Sequence, residues 1–138
     1  QNHSSHARLQ RRQVWAHVKL RLRFKRQVFA LACLAVLVLS VLPGEAIPGP
    51  LHFWDKAQHA LGFAVLAGLA LWARLSVQAW PWALGLLCFG AAIEGIQSLL
   101  PWRFGDVWDG LADAVGVFAV LGVACFWRAF KAKRPTAV

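Results

Sequence analysis

Apolar residues fall in four runs along the chain, separated by short polar or proline-rich breaks. The first covers residues 28–42, with Phe24 below and Ala46 and Ile47 above able to lengthen it. The second runs from about 54 to 76, the third from 80 to 100 and the fourth from about 106 to 127. A bilayer core of about 30 Å takes about 20 residues of helix, so each run predicts one membrane-spanning helix. Open strands cannot satisfy their backbone in lipid, which removes the β alternative. Pro43, Gly44, Pro48, Gly49 and Pro50 break the chain after the first run, and Pro101 closes the third. Pro81 stands in the first turn of the third helix, where its missing N–H costs nothing. The expected architecture is all-α: a four-helix transmembrane bundle.

Composition supports this class. Of 138 residues, 59% are hydrophobic and 15% charged, against about 25% charged in soluble domains. That balance argues against disorder and against a soluble globular fold. Lys+Arg total 15 and Asp+Glu 6, a formal net charge of +9. Eight of the basic residues lie within the first 26 positions, and Arg128, Lys131, Lys133 and Arg134 lie near the end. With the N-terminus in the cytoplasm, thirteen basic residues (Arg74 included) face inward, and only Lys56 and Arg103 face outward. This is a strong positive-inside bias, placing both termini in the cytoplasm. Trp54, Trp102 and Trp108 flank the outer ends, and Trp72, Trp80, Trp82 and Trp127 the inner ones, at the depth amphipathic rings prefer. The expected division is a basic arm at 1–26, a membrane domain at 27–127 and a basic tail at 128–138. Without a soluble domain to shape a groove, the basic blocks argue for orientation in a membrane, with no nucleic-acid partner. Cys33, Cys88 and Cys125 sit inside apolar runs and read as packing.

A cleaved leader is the competing reading of the first run, with small residues around Gly44-Glu45-Ala46 as the cut. The unusual length of the basic region and the crowding prolines weigh against it.

The remaining polar residues gather on one side. Asp55, Lys56 and His59 open the second helix, Glu94 and Gln97 close the third, and Arg103, Asp106, Asp109 and Asp113 lead into the fourth. Spacings of three, four and seven put each set on one helical face. Three such faces at matching depth predict one shared pocket, just beneath the outer surface. Charged groups within a span cost about 2.5–3.5 kcal/mol each at the helix centre and mark functional sites. The five acids against Lys56 and Arg103 leave a deficit of positive charge, which protons, a cation or water must offset. Simpler roles stand beside the functional ones. Asp55 and Asp106 suit helix caps, Lys56 an interfacial cation, and Arg103 a salt bridge to Asp106 or Glu94. His59 suits a satisfied core histidine, and Gln97 and Asp113 suit hydrogen bonds between helices.

The sequence 54–59 (WDKAQH), then Glu94-Gly95-Ile96-Gln97, then Arg103, Asp106 and Asp109, then Asp113 with Gly116, resembles the VanZ-like family of small bacterial membrane proteins. The likeness covers residues 52–126. It matches Asp55, Lys56 and His59 to the first family motif, Glu94 and Gln97 to the second, and Arg103, Asp109 and Gly116 to the third. Family members often carry Asn where this chain has Asp113. The resemblance implies a multi-pass protein of the bacterial cytoplasmic membrane with a cell-envelope role. Its namesake is associated with resistance to the glycopeptide teicoplanin. The leading expectation is a pocket binding an amphiphile or a lipid-linked cell-wall headgroup, with Arg103 and Lys56 meeting phosphate or carboxylate groups. Metal-assisted or acid–base hydrolysis through His59, Glu94, Asp109 and Asp113 is a second reading. A small transporter and a structural or assembly subunit are the others.

Overall fold

The computed structural model describes residues 3–43, 55–73, 78–103 and 105–133, with side chains from residue 13 onward except that of Asp55. These residues form four helices and no strand: α1 His3–Val41, α2 Asp55–Ala73, α3 Trp80–Gln97 and α4 Val107–Ala132. The four expected helices are present, with shifted bounds.

The largest shift is in α1. The basic arm and the first apolar run form one helix of 39 residues, about 58 Å long at 1.5 Å per residue. Its sequence contains neither proline nor glycine and is rich in Arg, Leu, Ala and Gln, so nothing interrupts the backbone ladder. The helix stops just before Pro43, and the extension expected through Ala46 and Ile47 lies outside the described residues. In α3, Pro81 stands in the first turn as expected. The helix ends at Gln97 rather than at 100 because the chain tightens into a turn, with Leu99 and Leu100 N–H donating to the Ile96 and Gln97 carbonyls. In α4, Asp106 is the N-cap, accepting from the Trp108 N–H at 3.0 Å. That helix runs on to Ala132, five residues past the expected end.

The helices alternate in direction. The end of α1, the start of α2, the end of α3 and the start of α4 meet at one end of the bundle, joined by the bonds described below. At the opposite end, Lys25 Nζ donates to the Trp72 carbonyl at 3.2 Å and lies over its ring. Lys25 thus serves the last turn of α2, where cations complement the dipole. Most of the basic part of α1 projects beyond this contact.

The core is Phe63, Leu66 and Ala67 from α2, Leu86 and Ile93 from α3, and Val117 from α4. Phe29, Ala32, Cys33, Val36 and Leu37 of α1 pack against it. Trp82, expected at the interface, instead joins this core at 7% exposure. Its neighbour Trp80 takes the outward position, since two residues apart on a helix cannot share a face. Trp72, Trp102, Trp108 and Trp127 are exposed, and Trp54 lies outside the described residues.

The closest helix crossing is between α2 and α4. A Cβ on Gly116 would run into the Ala60 carbonyl oxygen and lie 2.9 Å from the Ala64 nitrogen. Only glycine allows this approach, the device by which small residues bring membrane helices together. Outside the core the bundle is apolar: Leu34, Leu61, Leu84, Val115, Phe118 and Phe126 are all exposed. His59, Gln97, Asp109 and Asp113 are buried. Two helical stretches, Gln13–Val41 and Val107–Ala132, are long and apolar enough to cross a membrane.

Candidate functional site

Helix periodicity brings the polar faces of α2, α3 and α4 together at one end of the bundle. Lys56 and His59, three residues apart on α2, both turn toward α4. Lys56 Nζ lies 2.6 Å from Asp106 Oδ2 and 3.1 Å from Asp109 Oδ1. One turn deeper, His59 Nδ1 is 3.0 Å from Asp113 Oδ1, and its Nε2 is 3.9 Å from Asp109 Oδ2. Glu94 reaches across from α3, its Oε2 accepting the Asp106 N–H at 2.9 Å.

The cluster has two layers. In the upper one, Lys56 and Asp106 are half open to the surroundings, with side-chain exposures of 53% and 38%. The Lys56 ammonium, then the Trp108 N–H, hold the Asp106 carboxyl below the ordinary carboxylate range. Asp106 stands before α4, so it caps the helix and pairs with Lys56 at once. In the lower layer, His59, Asp109 and Asp113 are buried. Asp109 joins the layers, bonding Lys56 from one oxygen and facing His59 with the other. The contact between His59 Nδ1 and Asp113 Oδ1 fixes the plane of the imidazole ring.

Two buried carboxylate oxygens of the cluster have no hydrogen-bond partner, Glu94 Oε1 and Asp113 Oδ2. A buried polar atom left unpaired costs about 1–3 kcal/mol, more when charged. One donor atom from each of His59, Glu94 and Asp113 lies within 4.8 Å of the others. These three side chains could hold a metal ion.

Gln97 Nε2 and Arg103 Nε bond outside this cluster. Gln97 Nε2 donates to the Ser40 carbonyl at 2.9 Å, Trp102 Nε1 to Val41 at 3.1 Å, and Arg103 Nε to Leu42 at 3.3 Å. All three acceptors are carbonyls at the end of α1, which have no partner within their own helix. Gln97 therefore makes the hydrogen bond between helices that was the simpler of its two expected roles. Arg103 was expected to serve phosphate or pair with an acid, and its Nε caps α1 as well. The side chain of Asp55 lies outside the described residues, although its backbone opens α2. His52 and Arg74 also lie outside them.

Beside the cluster, α1 and α2 flank a half-open cavity of about 380 Å³. Val36, Leu39, Leu61 and Val65 form its long apolar walls, and Ser40, His59 and Arg103 its polar head. Sequence reasoning missed this cavity, and also Ser40, Trp102 and Gly90. A Cβ on Gly90 would lie 2.5 Å from Asp113 Oδ2, so the bare position makes room for that carboxylate. A glycine four residues before Glu94, on the same face of α3, is the sequence signal for it. No family model, curated protein or solved structure matches this chain.

Proposed function

We propose that this chain is a multi-pass, VanZ-like protein of the bacterial cytoplasmic membrane. Both termini are cytoplasmic, and the polar end of the bundle binds the headgroup of an amphiphile near the outer surface. The cavity between α1 and α2 carries the reading. Its walls suit an acyl or prenyl chain, and its head presents Arg103 and His59, groups that receive a phosphate or carboxylate. Its volume falls in the range of small-molecule sites, about 300–1,000 Å³.

Membrane insertion is supported by the distribution of side chains: apolar outward, ionisable inward. At 19 and 18 residues, α2 and α3 reach about 27–29 Å, close to a bilayer core of about 30 Å. The excess of Lys and Arg at the end opposite the acidic cluster supports this orientation. A lipid-linked cell-wall intermediate has the required shape and charge, and its capture would connect the protein to glycopeptide resistance.

The test fills the cavity. Leu61→Trp places an indole in the apolar shaft, on a residue exposed to the lipid side. In native mass spectrometry from bacterial membranes, the wild type should retain an anionic lipid that Leu61→Trp and Arg103→Lys lose. The same variants, at normal membrane levels, should lose any protection against teicoplanin. Lipid retention and protection unchanged in both variants would overturn the reading.

A further inference from the structure

We infer that His59, Glu94 and Asp113 form a divalent-cation site of zinc type, built from α2, α3 and α4. This goes beyond headgroup binding and does not depend on it.

The donor set comes first. One atom from each of the three residues lies within 4.8 Å of the others. Adjacent ligands around tetrahedral zinc, with bonds of about 2.0–2.2 Å, stand about 3.4 Å apart. His59 Nδ1 and Asp113 Oδ1, at 3.0 Å, already have nearly that spacing. Glu94 completes the set with one carboxylate oxygen within 4.8 Å of the other two ligand atoms. One imidazole with two carboxylates suits zinc better than magnesium or calcium, which take all-oxygen cages.

The second observation is independent of the clustering. Asp113 is 1% exposed, yet its Oδ2 has no donor. That oxygen faces Gly90, four residues before Glu94 and on the same face of α3. Glu94 Oε1 is likewise buried without a donor. Two buried carboxylate oxygens, one from α3 and one from α4, thus lack donors within a cluster that also holds an imidazole, and a cation bound there would satisfy them.

The surroundings complete a metal-site pattern. With Nδ1 on the cation, His59 Nε2 has the Asp109 carboxylate 3.9 Å away, near enough for a small movement to close the bond. Ligating histidines ordinarily turn their second nitrogen to a carboxylate in this way. Lys56 holds the other oxygen of Asp109, so the supporting carboxylate is itself fixed. Three protein ligands leave one position open, and one of them, His59, also lines the α1–α2 cavity. An anionic group in the cavity could occupy it.

The experiment uses the full chain in detergent, stripped with chelator and titrated with zinc by calorimetry. Metal content is measured separately by elemental analysis. His3, His6 and His17 on the arm are replaced by alanine in every sample, removing adventitious surface binding. We expect one saturable zinc per chain and a rise in thermal midpoint on loading. Glu94→Gln retains an amide oxygen for the Asp106 N–H and so keeps the fold. It should lower zinc affinity at least tenfold, with an unchanged midpoint in the metal-free state. Asp113→Asn should lower the affinity likewise, and through its altered His59 contact should also lower the metal-free midpoint. Absence of saturable binding in the parent, or equal affinity in parent and Glu94→Gln, overturns the site. Lipid retention by the same samples is scored independently, so loss of one reading is distinguishable from loss of the other.

Discussion

Alanine at position 116 should force α2 and α4 apart. Its Cβ would overlap the Ala60 carbonyl oxygen and stand 2.9 Å from the Ala64 nitrogen and 3.0 Å from the Ala60 carbonyl carbon. All three are backbone atoms of α2, so no side-chain rotation relieves them. Reaching ordinary contact at about 3.5 Å requires the helices to part by roughly 1 Å. Overpacking of this kind costs about 1–3 kcal/mol. The same movement stretches the His59–Asp113 contact, now 3.0 Å, past the hydrogen-bond limit of about 3.2 Å. A bond to a charged group is worth about 1.5–3 kcal/mol. Both losses follow from one displacement and do not simply add, which leaves roughly 2–5 kcal/mol in total. With about 2–8 °C per kcal/mol for domains bracketing this size, the thermal midpoint should fall by roughly 10 °C. Tryptophan fluorescence during heating of the purified protein in detergent measures it. Gly122→Ala is the control. Nothing lies within 4 Å of a Cβ there, so alanine should be neutral or stabilise by up to about 1 kcal/mol. Equal midpoints for Gly116→Ala and the wild type would refute the close crossing of α2 and α4.

Three further predictions test the layers of the site. Gly90→Ala sets a Cβ 2.5 Å from Asp113 Oδ2 and 3.2 Å from the Phe63 ring; it should cost about 1–3 kcal/mol in thermal unfolding and weaken zinc binding in the same titration. A double-mutant cycle on His59→Ala and Asp113→Ala should give a coupling of about 1–3 kcal/mol, and additive losses would contradict the 3.0 Å contact. Asp106 is held below its ordinary range, so its charge contributes stability above about pH 4 that is lost as pH falls through the lowered value. The midpoint difference between wild type and Asp106→Asn, which keeps the cap, should therefore persist at pH 4 and close below it; a difference that closes well above pH 4 would count against the Lys56 pairing.

Much of this arrangement was legible from spacing alone. His59 falls on the face of α2 that Lys56 also reaches, and Asp106, Asp109 and Asp113 on one face of α4, because three and four residues complete a helical turn. Asp106 capping α4 was likewise readable, as an acid immediately before an apolar run. Spacing does not say which neighbour a face meets. Gln97 shares its face with Glu94 yet bonds α1, because Ser40 presents an unpartnered carbonyl there. The same orphaned carbonyls draw Trp102 and Arg103, and no pattern in the α3–α4 loop announces them. Gly90 and Gly116 matter through atoms of other helices, which a one-dimensional pattern does not contain. Trp82 was placed by position along its helix, whereas its burial is set by rotation about the helix axis.

The two layers also imply a direction of access. Lys56 and Asp106 close the top of the cluster with a 2.6 Å ion pair, and neither lines the α1–α2 cavity. His59 and Arg103 do line it, and His59 is the group shared by the cavity and the lower acidic layer. An amphiphile arriving sideways from the bilayer, between α1 and α2, would therefore meet His59 and Arg103 without breaking the Lys56 pair. A polar solute arriving from above would have to break it. Removing Lys56 should then leave lipid retention closer to wild type than removing Arg103 does, with both variants read by native mass spectrometry. The reverse ranking would place the opening at the top of the bundle and make the α1–α2 cavity incidental to binding.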